Sequence, residues 1–257
     1  MTPFRVGVWQ CAAAGLPPQA RLEALADAMA GQALDLVVCP ELFACGYYRE
    51  RDLPALAEPQ DGPFRAGVAA LAARTNTAVL YGYAERDGAA IFNAAQAIAP
   101  DGTTLANHRK RMNSPGSFEE RVFATGDKHT AFTWRGLNLA IVICYEVEFP
   151  ESVRHAAACG ADLVAVPTAL AAHWQPVAEH MIPTRAFENG VWIAYANHAG
   201  CENGLRYFGG SRIVAPNFTE LAVAGPAQSL LTAAIDLSAE RSLPYLRDVA
   251  KLARSFS

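Results

Sequence analysis

Short apolar runs alternate with longer stretches of helical periodicity along most of the chain. Phe4–Trp9 predicts a first strand. Arg21–Ala30 places Leu22, Leu25, Ala26 and Met29 at helical spacing, and Gly31 is a natural stop. Leu34–Val38, apolar but for Asp35, is a run of strand length, ended by Pro40. Pro63–Arg74 predicts a helix, Thr77–Glu85 and Ala90–Ala99 predict strands around the Asp87-Gly88 turn, and Thr103–Lys110 predicts another strand. The second half repeats this grammar. Leu137–Ile143, Leu163–Val166, Val191–Ala196, Ser211–Ala215, Glu220–Ala224 and Leu230–Ile235 predict strands. Glu151–Ala158 predicts a helix closed by Gly160, and the stretch leading to Asn189 reads as mostly helical. Such alternation predicts α/β layers with helices covering sheet faces. No Ser- or Gly-rich linker divides the pattern, so residues 1–257 read as one domain, a core of about 4–237 and a tail of about 238–257.

Composition narrows the class. The chain is 52% hydrophobic and 18% charged over 257 residues, a size that can bury roughly 75% of the unfolded surface without a metal or disulfide staple. With 21 basic against 25 acidic side chains the formal charge is −4. The one dense basic stretch is His108–Arg111, which argues against a nucleic-acid partner. No run approaches the roughly 20 apolar residues of a membrane span, and Met1–Gln10 has no basic leader. A soluble cytoplasmic protein without a membrane partner is expected. Cys11, Cys39, Cys45, Cys144, Cys159 and Cys201 form no CxxC pair, which fits a reducing compartment and, for most of them, simple packing. His173 and His180 lack the i, i+4 spacing of a helical zinc motif, and Gly209-Gly210-Ser211-Arg212-Ile213 lacks the last glycine of a serine-hydrolase elbow. No metal and no cofactor are expected.

Three ionisable side chains stand at or just beyond the ends of buried-type strands: Glu41, Lys110 and Cys144. Ligands of open α/β sheets bind beyond strand ends, and a nucleophile, a carboxylate and an ammonium gathered there would suit acyl transfer. Taken singly, each has an ordinary structural reading: a first-turn carboxylate, a solvated basic run and a packed thiol.

The wording around all three resembles the nitrilase superfamily, the carbon–nitrogen hydrolases. Its glutamate motif appears as Cys39-Pro40-Glu41-Leu42-Phe43-Ala44-Cys45-Gly46-Tyr47, its lysine motif as Arg109-Lys110, and its cysteine motif as Cys144-Tyr145-Glu146-Val147-Glu148-Phe149-Pro150-Glu151. Gly160-Ala161-Asp162, Pro167-Thr168-Ala169, Arg185–Asn189, Ala196-Asn197 and Gly210-Ser211 follow in order, so the resemblance spans roughly residues 4 to 250. Two places depart from the family: Met112-Asn113 follow the lysine where His-Leu is usual, and Pro216-Asn217-Phe218 replaces Pro-x-Gly.

The resemblance implies a four-layer α-β-β-α sandwich and self-association as a homodimer or larger homo-oligomer, with the Glu151–Ala158 helix at an interface. It implies Cys144 as nucleophile, Glu41 as general base, and Lys110 with the Tyr145 backbone N–H facing an oxyanion. A second glutamate is implied in Phe118–Gly126; spacing from Gly126 favours Glu119, with Glu120 the alternative. Tyr47, Glu146, Thr168 and Trp174 are the expected substrate-binding residues. Leu80–Arg86, Asn107–Lys110, Val142–Glu151, Tyr195–Asn197 and Leu243–Leu246 are similar to the ω-amino amide amidase branch, which implies a small aliphatic primary amide as the partner molecule. A cationic tail would need Glu146 or Glu202; Arg206 in the same loop as Glu202 would repel it, and His173 with Trp174 would instead make an apolar wall. A nitrilase or an N-carbamoyl amine hydrolase would use the same residues, and a catalytically silent interaction module is the reading from a different class.

Overall fold

The computed structural model describes residues 3–12, 15–236, 248 and 251. The expected Leu243–Leu246 match and all of the expected tail but Asp248 and Lys251 lie outside the described residues. The first half supplies strands β1 (Phe4–Ala12), β2 (Leu36–Val38), β3 (Ala78–Asp87), β4 (Ala90–Ile98) and β5 (Thr104–Arg109). The second half supplies β6 (Thr130–Trp134), β7 (Leu137–Ile141), β8 (Leu163–Pro167), β9 (Trp192–Ala196) and β10 (His198–Ala199). A small hairpin of β11 (Cys201–Glu202) and β12 (Leu205–Arg206) follows, then β13 (Arg212–Val214), β14 (Glu220–Val223) and β15 (Ser229–Ile235). One sheet runs β10-β1-β2-β3-β4-β5 with β15 also paired to β1, and the second runs β14-β13-β9-β8-β7-β6. Within them β1-β2-β3 and β7-β8-β9 are parallel, so the chain leaves β2, β7 and β8 at corresponding ends.

The continuous apolar runs are explained by burial on both faces, since successive side chains of a strand point opposite ways. Leu36 and Val38 of β2 join Leu139 and Ile141 of β7 and Leu163 and Ala165 of β8 in the core between the sheets. Val37, one residue out of phase, packs instead with Leu22, Leu25, Val68 and Leu71 from helices Pro18–Met29 and Pro63–Thr75. Val164 and Ile193 likewise meet Val153, Ala156, Ile182 and Ala186 of helices Pro150–Ala158 and Ile182–Asn189. Those three cores are the interfaces of an α-β-β-α sandwich. All four helices begin with proline in the first turn, where its missing N–H costs nothing.

Three expectations shift in detail. β6 lies outside the predicted strands because its alternation sits on a half-exposed edge; the Arg135-Gly136 turn, both residues at positive φ, was its available signal. The strand expected through Ile143 ends at Ile141, and a 3-10 turn begins at Cys144. The stretch before Asn189 is a mixture: a 3-10 turn at Ala172–Trp174, a π-type turn at Val177–Met181 and only then an α-helix.

Candidate active site

The loops after β2, β5 and β8 meet in a fourth apolar cluster containing Leu42, Tyr47, Phe118, Ala169 and Tyr207. Glu41 lies in the first of these loops. Its N–H donates to the Thr168 carbonyl at 3.4 Å, and its own carbonyl accepts from His198 Nε2 at 2.7 Å. The loop passes so close over β3 that a side-chain carbon at Gly82 would stand 2.6 Å from the Pro40 carbonyl oxygen. Only glycine fits there.

Lys110 follows β5, its backbone tied to Asn93 and Gly126 by bonds of 2.8 Å each. Its ammonium is fully buried and gives its three hydrogens to carboxylates: Glu41 Oε1 at 2.7 Å, Glu119 Oε2 at 2.7 Å and Glu119 Oε1 at 3.0 Å. Burial alone would lower the Lys110 pKa, but Glu41 and Glu119 overcome it and hold the ammonium charged well above the usual lysine range. Glu119 is buried too, yet Lys110, the Tyr47 hydroxyl at 2.6 Å and the Ser114 N–H keep its carboxyl below the usual value. Glu41 goes the other way. Burial and the neighbouring Glu119 charge outweigh Lys110 and leave its carboxyl raised. Its Oε1 accepts from Lys110 and from Asn93 Nδ2 at 2.7 Å, whereas its Oε2 is buried without a hydrogen-bond partner among the described residues.

Cys144 begins the 3-10 turn Cys144–Glu148 with φ of 47°. A non-glycine residue in that left-handed region costs roughly 1–3 kcal/mol and persists only where its surroundings impose it. The restraint is visible two residues on: Glu146 accepts from Ile143 N–H at 2.7 Å, from Arg111 N–H and Nε at 3.1 and 2.9 Å, and pairs with His108 Nε2 at 3.0 Å. Despite burial these partners hold the Glu146 carboxyl down to about 2. The Thr168 hydroxyl donates to the Cys144 sulfur at 3.0 Å. Burial, then Glu41, push the Cys144 thiol up, against Lys110, so the resting sulfur keeps its proton.

Cys144 opens onto a cleft of ≈ 630 Å³ lined by Tyr47, Tyr145, Glu148, His173 and Trp174 among others, a size suited to a small molecule. A model of the carbon–nitrogen hydrolase family matches residues 10–245. The chain belongs to the carbon–nitrogen hydrolases.

This hydrolase, which acts on carbon–nitrogen bonds, has relatives that bear out the fold. It is 40% identical to the "Hydrolase in pqqF 5'region" of Pseudomonas protegens, over 91% of this chain and 83% of that protein. It is 32% identical to an (R)-stereoselective amidase of a Pseudomonas species, over 83% of this chain and 79% of the relative. Among solved structures, a cysteine variant of the amidase from Nesterenkonia sp. AN1 in complex with butyramide superposes with a TM-score of 0.88 at 32% identity, covering 100% of this chain and 98% of that one. Another form of that amidase carries the acetamide moiety of fluoroacetamide, added covalently at its active site cysteine.

Of the residues anticipated from sequence, the hydrolase brings Glu41, Lys110 and Glu119 into direct contact and sets Tyr47 and Thr168 against Glu119 and Cys144. Glu120 is exposed and accepts from the Gly116 N–H, whereas it is Glu119 that meets Lys110. Trp174 does line the cleft, 57% exposed, beside His173. Glu146 needs correcting as a substrate-binding residue: its carboxylate is consumed by Ile143, Arg111 and His108 and is fully buried. Glu202 is equally committed, to Arg21, the Tyr47 and Tyr48 N–H groups and the Tyr207 hydroxyl. Arg206 is an exposed hairpin residue outside the cleft lining. Sequence reasoning missed Asn93 and Glu148. Asn93 had a signal, one of two amides, with Gln96, inside the otherwise apolar Ala90–Ile98 run. Among the described residues no group of three or more histidine, cysteine or acidic side chains is placed to hold a metal, and no helix is long and apolar enough to cross a membrane.

Proposed function

We propose that the protein is an amidase that hydrolyses small aliphatic primary amides to a carboxylic acid and ammonia through a Cys144 thioester. The observation that carries this reading is the buried Glu41–Lys110–Glu119 cluster behind Cys144 at a small-molecule cleft. A thiol with a raised pKa needs a base at the moment of attack. Among the described residues Glu41 Oε2 has no hydrogen-bond partner, and its own raised pKa makes it a competent acceptor. As the Cys144 sulfur bonds to the amide carbon, the thiol proton passes to Glu41. Collapse breaks the C–N bond, and that proton leaves with the nitrogen as ammonia. Water then attacks the thioester, giving its proton to Glu41, and as the C–S bond breaks Glu41 returns that proton to the sulfur, releasing the acid and restoring the thiol.

The oxyanion formed in each attack would face Lys110 and the Tyr145 N–H. Tyr145 is the second residue of its helical turn, where backbone N–H groups lack an acceptor within the turn. Lys110 has no spare hydrogen at rest, so the oxyanion would displace its longer bond, 3.0 Å to Glu119 Oε1, an oxygen that keeps the Tyr47 hydroxyl at 2.6 Å. The solved amidase with butyramide bound, and its cysteine that accepts an acetamide group, support the same chemistry and substrate size here. Nitriles and N-carbamoyl amines are the competing substrates.

The test is ammonia release from butyramide, butyronitrile and N-carbamoyl-butylamine. Butyramide should be turned over fastest, and Cys144→Ala should abolish both turnover and covalent labelling by fluoroacetamide. Unchanged hydrolysis by that variant would refute the mechanism, and a preference for the nitrile or carbamoyl compound would refute the substrate class.

A further inference from the structure

Charged side chains on the cleft wall are few: Glu50, Arg121 and Glu148. Two of them cancel, because Arg121 Nε and Nη2 hold the two Glu50 carboxylate oxygens at 2.9 and 3.1 Å. Glu148 is different. Among the described residues its side chain has no hydrogen-bond and no ion-pair partner, and the cations that act on it are already committed. Arg185 gives its guanidinium to the backbone carbonyls of Val147 and Glu148 and to the Glu188 carboxylate. Lys110 gives all of its hydrogens to Glu41 and Glu119. Lys110 and Arg185 therefore reach the Glu148 carboxylate only through space, and half-burial raises its pKa above the ordinary value in spite of them. A partly desolvated carboxylate with no partner of its own gains more from an incoming cation than a solvated one does.

Its position is also fixed relative to the reaction. Cys144 and Glu148 are the first and last residues of one 3-10 turn, which at roughly 2 Å rise per residue separates them by about 8 Å along its axis. The intervening Tyr145 also faces the cleft. One rigid element thus presents the nucleophile at one end and an uncompensated negative charge at the other.

We propose that Glu148 sets the charge preference of the cleft, favouring amides whose far end carries an ammonium group and rejecting those that end in a carboxylate. This rests on the amidase reading and adds to it the residue that reads the substrate's tail, in place of Glu146 and Glu202. Three amides of matched length test it: 5-aminopentanamide, its neutral counterpart hexanamide, and glutaric acid monoamide. For the unaltered enzyme, kcat/KM should fall in that order. Glu148→Gln should lower the ratio of 5-aminopentanamide to hexanamide by roughly 10–100-fold, the scale of one charge-assisted hydrogen bond. Glu148→Arg should invert the order and make glutaric acid monoamide the preferred substrate of the three. Equal kcat/KM for the ammonium and neutral amides in the unaltered enzyme, or a ratio that survives both substitutions, would overturn the proposal while leaving the amidase reading intact. Absence of ammonia release from all three, with butyramide equally inert, would overturn both.

Discussion

Among the described residues Lys110 is the one cation paired with two fully buried carboxylates, so its removal makes a sharp prediction. Lys110→Ala strips Glu41 and Glu119 of bonds at 2.7, 2.7 and 3.0 Å in a site with no exposure to solvent. Removing one partner of a buried ion pair costs about 3–5 kcal/mol, because an uncompensated charge stays behind. For a domain of this size that is a fall of roughly 6–20 °C in Tm, within a net stability of about 5–15 kcal/mol, so the variant should still fold. The cost must depend on pH. Without the ammonium, the folded-state pKa of Glu119 rises above the unfolded value, and that of Glu41, already raised, rises further. A carboxyl shifted that way is stable below the unfolded pKa and loses stability as pH rises through the folded pKa. The Tm deficit relative to the unaltered enzyme should therefore be small near pH 5 and large near pH 8. Differential scanning calorimetry at both values, with kcat/KM for butyramide, checks it. Activity should fall by at least ~10²–10³-fold, the usual loss of one oxyanion donor. A deficit that is equal at the two pH values, or absent, would refute Lys110 as the shared counter-ion.

Two other predictions use the same electrostatics. Glu146, held down to about 2 from an ordinary 4.5, contributes about 3 kcal/mol at neutral pH. A depressed carboxyl gives stability that is present above the unfolded pKa and lost as pH falls through the folded one, so Glu146→Gln should flatten the acid limb of a stability–pH curve between about 4 and 2; an unaltered limb would refute the assignment. Glu41 must be ionised to take the thiol proton, and its carboxyl is raised. The acid limb of kcat/KM should accordingly lie above pH 4.5, and in Glu41→Gln the residual rate should lose that limb, whereas persistence of the limb would place the base elsewhere.

Much of this architecture was legible because burial on two faces leaves a simple mark. The run Leu36–Val38 reads as a two-sided strand from residue types alone, and the structure sends Leu36 and Val38 to one core and Val37 to another. Glu41 and Cys144 were legible for a related reason, since each follows an apolar run where an ionisable side chain has to be explained, whereas Lys110 stands in a basic run and was legible only from its motif. Elements held by tertiary contact rather than by their own pattern were not. β10, β11 and β12 are two residues each, too short for any periodicity, and they are fixed by bonds such as Glu202 to the Tyr47 and Tyr48 N–H groups.

The glutamates of the cysteine motif show where the limit lies. Glu146 and Glu148 are two residues apart in one 3-10 element that winds about three residues per turn, so their side chains must leave in different directions. Nothing in the letters Cys-Tyr-Glu-Val-Glu says which one turns inward. That is decided by His108 and Arg111, brought from the end of β5 to meet Glu146 at 3.0 and 2.9 Å. The basic run His108–Arg111, which reads as a solvated face, is thereby divided by strand alternation and the bend after it. Lys110 goes to the carboxylates of the site, while His108 and Arg111 anchor the turn that carries Cys144. Once Glu146 is satisfied as an anchor, Glu148 is the acidic side chain of that turn left to meet a substrate.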